Sequence, residues 1–507
     1  MRLDFLLKDL PVEPVGNPAW AQMEISGISC DPNLCKSGYL YLAAESETVD
    51  STRFGLRLDG RDYIKQALAN GALAVLTSPE QTLPPEQSNS AVLLKIAEPL
   101  RLLGTLCARL HAEPRPEHLA LVTGTNGKTS TVNFCRMLWT ADGKPSCSIG
   151  NLGGVCSDGS LVWDRDPTLS VPETVTLHKI LQDIAGRGFE HVAMEATSHA
   201  LFDYRLHGLN ATIGAFSNLT RDHLDFHGTM EEYFRVKMTL FNDVLAPGSF
   251  AVLNADSPWF EKAEAICRDR KHQVIAFGRA GKEIRLLNVK TDGDGQNLKL
   301  EIFGKVYETR LNLLGYFQVL NVLCSLGIVS ASGLDAEKAV KYVETLSEVE
   351  GRLNLVSRAP SGGKIIVDFA HTPDGIRAAL EACRSFTEGK LFIVFACDGE
   401  RDPGGRAEMG EIASSMADQV IVSTGHWRAE DPAQIRKAVL AGVPSALEIA
   451  DREKAIEHGI RALDKDDTLL IAGFGHEKFL TQGNVTRPYS DTDTVLRIVA
   501  KLAKAII

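Results

Sequence analysis

The chain has 507 residues, of which 44% are hydrophobic and 23% are charged, as in an ordinary globular protein. This length favours about three domains rather than one. The formal net charge of -11 argues against non-specific binding of nucleic acid, although it leaves room for phosphorylated ligands, which local donors recognise.

Neither a targeting segment nor a membrane span is predicted. The N-terminal stretch MRLDFLLKDLPVEP lacks the long apolar run of a signal peptide. No stretch approaches the ~18 continuous apolar residues that a membrane span needs. The ten cysteines include no CxxC pair, so we expect reduced thiols in a cytoplasmic protein.

The first 111 residues alternate strand-like and helix-like stretches. Strands are predicted at GYLYLAA and ALAVLT, a helix at GRDYIKQALANGA and a linker at HAEPRPEH. The next stretch, LALVTGTNGKTSTVNFCRMLW, predicts a strand, a glycine-rich turn and a helix. Strand patterns then recur in HVAMEATSHAL, ATIGAFSNLT, GSFAVLNAD and QVIAFG, which together predict a parallel sheet with helices on both faces.

The second half of the chain continues this alternation. A polar segment near 282–310 alternates like an antiparallel hairpin, and a helical stretch follows at 316–345. The apolar runs KIIVDFA, KLFIVFAC, DQVIVST and DTLLIAGFG, separated by helical patterns, predict a second doubly wound domain. We therefore predict an α/β protein of three domains: a small N-terminal α/β domain (1–111), a central P-loop-type α/β domain (112–348) and a C-terminal Rossmann-like α/β domain (349–507).

The stretch TGTNGKTST contains a shortened phosphate-binding loop. In such loops backbone N–H groups approach the phosphates, a lysine such as Lys128 reaches the β- and γ-phosphates, and a hydroxyl such as that of Thr129 binds Mg²⁺. The usual motif has its first glycine where this chain has Val122. The alternative is a turn with a solvated lysine, but here strand, turn and helix coincide. We predict that nucleotide is bound by Gly124, Thr125, Asn126, Gly127, Lys128, Thr129 and Ser130.

Further along the chain, Glu195, His223 and Lys237 are candidates for metal and phosphate chemistry. Glu195 ends an apolar strand, where a carboxylate can hold Mg²⁺. His223 lies between two aspartates in TRDHLD. Lys237 shares a helical stripe with aromatic and aliphatic residues, so we expect it to be partly buried. Taken alone, Lys237 is more simply a lysine whose stem packs while its amine reaches solvent.

Together these motifs resemble the Mur ligases, most closely the members that add the third residue of a stem peptide. The resemblance runs over nearly the whole chain and rests on seven stretches: GTNGKTST, MEATSHAL, NLTRDHLDFHGTMEEYFRVKMTLF, GRLNLV, VDFAHTPDGI, CDGERDPGGR and AGFGHE. It implies that the first domain binds a UDP-sugar acceptor, the central domain ATP and the last an incoming amino acid. The acceptor carboxylate attacks the γ-phosphate, and the amine then displaces phosphate from the acyl phosphate.

The resemblance also implies roles for individual residues. The catalytic residues are Lys128, His223 and Lys237, and Lys237 matches a lysine that is carbamylated in the family. Two Mg²⁺ ions are held by Thr129, Glu195, His223 and the carbamate of Lys237. From the later parts of the chain, ATP is contacted by Asn321, Arg352, Asp368 and His371.

The acceptor side departs from the family pattern. The resemblance implies that UDP-MurNAc-L-Ala-D-Glu is held by Ser170, Thr197, Ser198 and Arg205. Asp31-Pro32-Asn33, however, replaces a family Asp-Ser-Arg, and Ser170-Val171-Pro172 replaces Thr-Thr-Pro, which contacts the acceptor. The segment 45–60, which flanks the uridine in the family, also differs, and Gln318 stands where an asparagine is common.

The turn STGHWRAEDP carries the amino-acid specificity in the family, where Asp-Asn-Pro-Arg accompanies meso-diaminopimelate. This chain keeps the arginine, which grips the distal carboxylate, and replaces the other three residues. By resemblance, Arg401 binds a carboxylate and Glu477 an ammonium group. The predicted amino-acid site comprises Arg401, His426, Trp427, Arg428, Gly473 and Glu477. The alternative is that Trp427 packs into the domain while His426 is solvated.

Three functions stay open at this point. The first is ATP-dependent addition of an amino acid, which we expect to be meso-diaminopimelate, to UDP-MurNAc-L-Ala-D-Glu. The second is the same chemistry recruited to another pathway, such as natural-product biosynthesis, with another acceptor or amino acid. The third is a nucleotide-binding regulator without catalysis. We expect small-molecule partners only, no nucleic acid, no membrane insertion and a monomer.

Overall fold

A computed structural model describes residues 1–44, 59–87, 89–164, 169–292, 295–483 and 485–504. Of the divergent segment 45–60, residues 45–58 lie outside the described residues. The strands are β1 (Glu13–Gly16), β2 (Gly27–Ser29), β3 (Tyr39–Ala43), β4 (Ala72–Thr77), β5 (Val92–Lys95), β6 (His118–Thr123), β7 (Ser146–Gly150), β8 (Gly153–Cys156), β9 (Leu161–Trp163), β10 (His191–Glu195), β11 (Ala211–Phe216), β12 (Leu245–Asn254), β13 (Gln273–Gly278), β14 (Ile284–Asp292), β15 (Gly295–Ile302), β16 (Lys305–Leu311), β17 (Asn354–Arg358), β18 (Lys364–Asp368), β19 (Leu391–Phe395), β20 (Gln419–Val422), β21 (Leu447–Glu448), β22 (Thr468–Ala472), β23 (Phe479–Gln482) and β24 (Val485–Pro488).

Helices alternate with these strands over most of the chain. The α-helices are Leu3–Leu6, Ile64–Ala69, Pro99–Leu110, Lys128–Ala141, Thr174–Gly186, Ser198–Phe202, Leu224–His227, Met230–Thr239, Phe260–Asp269, Tyr316–Ala331, Ala336–Tyr342, Pro373–Arg384, Gly405–Met416, Pro432–Leu440, Arg452–Arg461 and Asp491–Lys504. Short 3₁₀ turns lie at Trp20–Gln22, Pro32–Leu34, Gly60–Tyr63, Pro85–Gln87 and Val343–Thr345, and a π-helical turn at Leu240–Val244. Among the described residues, no helix is long and apolar enough to cross a membrane. The α/β fold class predicted from the sequence is confirmed.

The chain divides into two compact units, each built from several segments. The first unit comprises Met1–Leu121, Lys144–Gly214 and Val236–Ser249, and the second comprises Val122–Gly143, Ala215–Arg235 and Phe250–Ile507. The predicted domain boundaries at 111/112 and 348/349 stay a prediction.

The first unit contains a five-stranded sheet of order β1-β5-β4-β3-β2. Strands β2 to β5 pair in parallel, and β1 pairs antiparallel to β5. The apolar face of the helix Pro99–Leu110 packs on this sheet through Leu103 and Leu106. The unit also holds the strand order β12-β11-β6-β10-β7-β8-β9, in which β10 and β7 are parallel and β7, β8 and β9 antiparallel.

One expectation about the cysteines is wrong. Cys147 on β7 and Cys156 on β8 face each other across the antiparallel pair, with Cα atoms 4.0 Å apart, and form a disulfide. The two residues are nine positions apart in the chain, a spacing that does not by itself indicate a disulfide. The register of the two strands brings them together. The other eight cysteines are free thiols.

The second unit contains the strand order β16-β15-β14-β13-β12. The predicted hairpin near 282–310 is a three-stranded antiparallel meander of β14, β15 and β16. The helix predicted at 316–345 is present but interrupted, because Gly333 has a φ of 90° and ends the first helical segment.

A second sheet of this unit has the order β17-β18-β22-β19-β20-β21, with β18, β22, β19, β20 and β21 parallel, as a doubly wound domain requires. The helix Pro373–Arg384 covers one face because Ile376, Ala379, Leu380 and Cys383 recur at helical spacing and are all buried.

A buried ion pair joins the end of this sheet to the last helix. Arg452 donates to both carboxylate oxygens of Asp491, at 2.8 and 2.7 Å, and to the carbonyl of Ala472 at 2.9 Å. The Tyr489 hydroxyl donates to Asp491 at 2.9 Å, and the guanidinium lies 4.3 Å from the ring centre of Phe474. Arg452 and Asp491 are 3% and 0% exposed, so neither charge has water to replace a lost partner.

We predict that Arg452→Ala lowers the free energy of unfolding by about 3–5 kcal/mol, because it leaves the charge of Asp491 buried and unpaired. The control is Arg497→Ala, which removes the exposed pair with Glu453 and is expected to cost less than ~1 kcal/mol. Urea unfolding followed by fluorescence measures both variants. Equal losses would contradict a structural role for the buried pair.

Candidate active site

The predicted phosphate loop joins β6 to the helix Lys128–Ala141 in the second unit. Gly124 and Gly127 have φ values of 145° and 91°, which L side chains rarely adopt. A Cβ atom at Gly127 would lie 2.3 Å from Oδ1 of Asn321. Only glycine therefore fits here, and the N–H groups of the first helical turn are in the arrangement that binds an anion.

Two cationic side chains lie at this loop. The Lys128 ammonium donates to the carbonyls of Gly124 and Thr125 at 2.9 and 2.8 Å. The Arg352 guanidinium donates to the Thr129 hydroxyl at 3.0 Å. Both cations are thus held at the loop by hydrogen bonds, where they can contact an anionic ligand.

A cavity that opens to solvent adjoins the loop, with about 740 Å³ of empty space. Part of its lining is apolar and includes Phe277, Phe317 and Leu320, which suits a flat base, while backbone and arginine donors of the loop region suit phosphates. The cavity brings together seven of the residues predicted to bind ATP: Asn126, Gly127, Ser130, Asn321, Arg352, Asp368 and His371.

Asp368 and His371 both lie at the rim where β18 meets the following helix. The Asp368 carboxylate accepts the N–H groups of Leu353 and Ala370, both at 2.7 Å, so its role in the structure is to shape the loop. Burial raises the pKa of Asp368, against the opposing charge of Arg352. His371 is exposed, and its Nδ1–H donates to the Phe369 carbonyl at 2.8 Å, which leaves Nε2 for a ligand.

A second cavity, of about 480 Å³, lies in the same unit and shares His371 with the first. It is lined by ionisable side chains of both signs: Arg221, Asp222, His371, Asp398, Arg401, Asp402 and Arg406. Such a lining suits a small zwitterion.

His223 and Arg401, which sequence reasoning assigned to metal and amino acid respectively, are in contact. Arg401 donates to His223 Nδ1 at 3.2 Å, and His223 Nε2 lies 3.3 Å from Asp222. Both ring nitrogens therefore have partners in this structure, and one would have to be released before His223 ligates a metal. The pKa of the nearby Asp225 is raised by burial.

The turn at 425–428 is more buried than its polar sequence indicates. His426 is 3% exposed, accepts the Thr481 N–H at Nδ1 (3.0 Å) and lies 2.7 Å from Glu477 through Nε2. Since a backbone N–H occupies Nδ1, the ring carries its proton on Nε2 and donates to Glu477. The alternative of a solvated His426 is wrong, whereas Trp427 does pack against the core of its domain.

Arg428 and Gly473 complete the predicted amino-acid set. Arg428 has a left-handed φ of 45°, and its guanidinium donates to the Gly399 carbonyl and lies 3.6 Å from the Asp398 carboxylate. Gly473 follows β22 with a φ of 116°, and its N–H donates to the carbonyl of Asp368 at 3.1 Å.

Sequence reasoning missed two features of this region. Arg221 forms a two-point ion pair with Asp402, at 2.6 and 3.1 Å, and Asp398 lies among the cations of the second cavity. Arg221 belongs to the TRDH stretch and Asp402 to the GERD stretch, so both residues were already in recognised motifs. The pairing itself joins segments ~180 residues apart and needs the fold.

The predicted acceptor residues and two predicted metal ligands belong to the first unit. Glu195 is fully buried, and its carboxylate accepts the N–H of Asn151 at 2.8 Å. The Ser170 hydroxyl donates to the side-chain amide oxygen of Asn151. Lys237 is 1% exposed, so it does not reach solvent as a snorkelling lysine would.

The remaining acceptor residues surround a short helix. The Thr197 hydroxyl accepts the N–H of Ala200 at 3.2 Å and caps the helix Ser198–Phe202. Arg205 pairs with Asp203 at 2.9 Å. Val171, which replaces a family threonine, is buried.

The predicted Mg²⁺ ligands divide between the units, with Glu195 and Lys237 in the first and Thr129 and His223 in the second. In the part of the chain that the structure describes, no group of three or more His, Cys, Asp and Glu side chains could hold a metal by itself. The predicted set contains only two residues of these types, so it stays a prediction. Carboxylate and hydroxyl oxygens are suitable donors for Mg²⁺.

Comparison with known proteins places these features in a family. Residues 122–329 match the Mur ligase middle domain, and 351–475 match the Mur ligase, glutamate ligase domain. A UDP-N-acetylmuramoyl-L-alanyl-D-glutamate--2,6-diaminopimelate ligase of Zymomonas mobilis is 41% identical over 86% of this chain and 89% of its own length. The enzyme of the same name from Agrobacterium fabrum is 37% identical over 98% and 96%.

This chain belongs to the Mur ligase family. A solved structure of a UDP-N-acetylmuramoyl-L-alanyl-D-glutamate--2,6-diaminopimelate ligase is 26% identical and matches with a TM-score of 0.69 over 99% of each chain. MurF of Acinetobacter baumannii, at 18% identity, matches with a TM-score of 0.65 over 97% of this chain and 100% of its own, which shows a shared fold. The two matched Mur ligase ranges fall inside the predicted central and C-terminal domains.

In this Mur ligase we predict that Gly127→Ala weakens ATP binding by more than about tenfold, because its Cβ meets Asn321 and the backbone strain displaces the phosphate loop. The control is Gly143→Ala. Gly143 also has a positive φ, but no atom lies within 4 Å of its added Cβ. Titration calorimetry with ATP measures both variants. A similar loss in Gly143→Ala would show that left-handed strain alone explains the effect.

Proposed function

We propose that this Mur ligase uses ATP to join meso-diaminopimelate to the D-glutamate carboxylate of UDP-MurNAc-L-Ala-D-Glu. The observation that carries this proposal is the likeness to curated relatives of one name, the UDP-N-acetylmuramoyl-L-alanyl-D-glutamate--2,6-diaminopimelate ligases, at 41% and 37% identity over most of both chains. The two cavities of the second unit support it, since one suits a nucleotide and the other a zwitterion.

The reaction has two chemical steps. An oxygen of the acceptor carboxylate attacks the γ-phosphorus of ATP, the bond to the β–γ bridging oxygen breaks, and ADP and an acyl phosphate form. The amine of the amino acid, having lost its proton, then attacks the acyl carbon. The tetrahedral intermediate collapses to the amide and inorganic phosphate.

The residues of the phosphate loop act in the first step. Backbone N–H groups, Lys128 and Arg352 offset the charge that develops on the γ-phosphoryl group. We assign Mg²⁺ to Thr129, Glu195, His223 and the carbamate of Lys237, on the family resemblance. A bound Mg²⁺ supplies Lewis acidity and charge neutralisation there. That two ions bind stays a prediction, as do the monomeric state and the cytoplasmic location.

Arg401 and Arg428 act in the second step as carboxylate-binding groups. Each is already held by a partner: Arg401 by His223, and Arg428 by the Gly399 carbonyl and the Asp398 carboxylate. A fixed guanidinium loses little conformational entropy when it binds a carboxylate at two points.

Phosphate release with UDP-MurNAc-L-Ala-D-Glu and a panel of amino acids tests the function. We expect release with meso-diaminopimelate and little with lysine or alanine, because only the first offers a distal carboxylate to Arg428. Turnover of ATP with a different acceptor carboxylate, and none with this one, would instead support a ligase recruited to another pathway. Absence of turnover with every acceptor would support a nucleotide-binding regulator.

Lys237→Ala is expected to lower kcat by about 100-fold or more, since it removes the proposed carbamate from the metal environment. Added short carboxylic acids should restore part of the rate by supplying an anionic ligand. The control is Lys341→Ala, which removes an exposed lysine paired with Glu337 and should leave the rate unchanged. A near-normal rate in Lys237→Ala would remove the carbamate from the mechanism.

A further inference from the structure

Asp398 belongs to the CDGERDPGGR stretch, but the family resemblance implies no role for it. It lies three residues beyond the end of β19, and its side chain is 29% exposed. The side chain lines the 480 Å³ cavity together with Arg401 and His371. Its carboxylate therefore has access to a ligand in that cavity.

The Asp398 carboxylate fills the space that a side chain at position 425 would need. A Cβ atom added to Gly425 would lie 3.1 Å from Oδ1 of Asp398 and 2.9 Å from the carbonyl oxygen of Cys397. The same Oδ1 accepts the N–H of His426 at 3.2 Å. Gly425 does not have a positive φ. The lack of space for a side chain therefore explains the glycine at this position.

The second oxygen of Asp398 faces Arg428. Oδ2 lies 3.6 Å from Nη2 of Arg428, while Nη1 of the same guanidinium donates to the carbonyl of Gly399. Asp398 and Gly399, which are consecutive in the loop after β19, thus both contact the Arg428 guanidinium. A side chain in a strained left-handed residue such as Arg428 needs such external partners to keep one orientation.

The surroundings favour the ionised form of Asp398. Burial by itself raises the pKa of this carboxyl group, but the positive charges of Arg428 and Arg401 oppose that effect, and the pKa lies below its usual value. The carboxylate is therefore a fixed negative charge between the arginines proposed to bind the amino acid.

We propose that Asp398 is a positioning residue for amino-acid selection: it provides, from the loop after β19, the carboxylate that the Mur ligase turn otherwise carries at position 425, and it orients Arg428 toward the distal carboxylate of the amino acid. This inference rests on the proposed function, because it assumes an amino acid with a distal carboxylate. It explains how the turn keeps a working arginine although three of its four residues differ from the family pattern.

The first test removes the charge at position 398. Asp398→Asn, nearly isosteric, should raise KM for the amino acid by about tenfold while KM for ATP changes by less than about twofold. Moving the carboxylate to position 425 is not a usable rescue, because a Cβ atom there would still lie 2.9 Å from the backbone carbonyl of Cys397.

The second test asks whether Asp398 acts through Arg428. In an Arg428→Ala background, Asp398→Asn should change KM for the amino acid by less than about twofold, because there is no guanidinium left to orient. The proposal would be overturned if the increases in KM for the amino acid caused by Asp398→Asn and Arg428→Ala multiply in the double variant. It would also be overturned if Asp398→Asn raised KM for ATP as much as KM for the amino acid. Thermal unfolding verifies that each variant is folded.

The two proposals fail in different ways. If the wild-type protein accepts an amino acid other than meso-diaminopimelate, the proposed substrate is wrong, and the same variants are measured with the accepted one. A dependence on Asp398 that persists with an amino acid lacking a distal carboxylate overturns the positioning role, whatever the proposed function.

Discussion

Repulsion between anions is the constraint on which the proposed chemistry depends. A carboxylate has to approach a triphosphate, and the chain itself has a net charge of -11. Positive charge must therefore be supplied locally. In the second unit the phosphate loop supplies Lys128 and Arg352, and the second cavity places Arg221, Arg401 and Arg406 beside three aspartates.

These cations are held by two kinds of partner. Lys128 and Arg352 donate hydrogen bonds to oxygens of the phosphate loop, whereas Arg221 forms a two-point pair with Asp402, and Arg406 one with Glu430. The carboxylate of such a pair offsets much of the positive charge of the arginine, but the pair fixes the positions of the loops that it joins. We infer that the paired arginines fix the cavity wall and the others meet ligands.

The strand–loop–helix element of the phosphate loop could be predicted from the sequence because its signals are local: an apolar run, glycines at set positions and a helical pattern. The alternation of strands and helices in the C-terminal part of the chain could be predicted for the same reason. The Cys147–Cys156 disulfide could not, since it depends on strand register. The burial of His426 could not either, because its partners Glu477 and Thr481 come from a segment 50 residues further along the chain.

Asp398 shows why a turn motif alone is an incomplete description of a binding site. In the family pattern the carboxylate belongs to the turn, and here Gly425 stands in its place, so reading positions 425–428 alone indicates a lost contact. The neighbouring loop after β19 lies within 3.1 Å of that position and carries an aspartate. What a site requires is a charge at a point in space, and any residue whose backbone passes near that point can supply it. The glycine and the aspartate are therefore best interpreted as one change: a carboxylate at 425 would meet the one at 398, and without either of them Arg428 would keep only the Gly399 carbonyl among these partners.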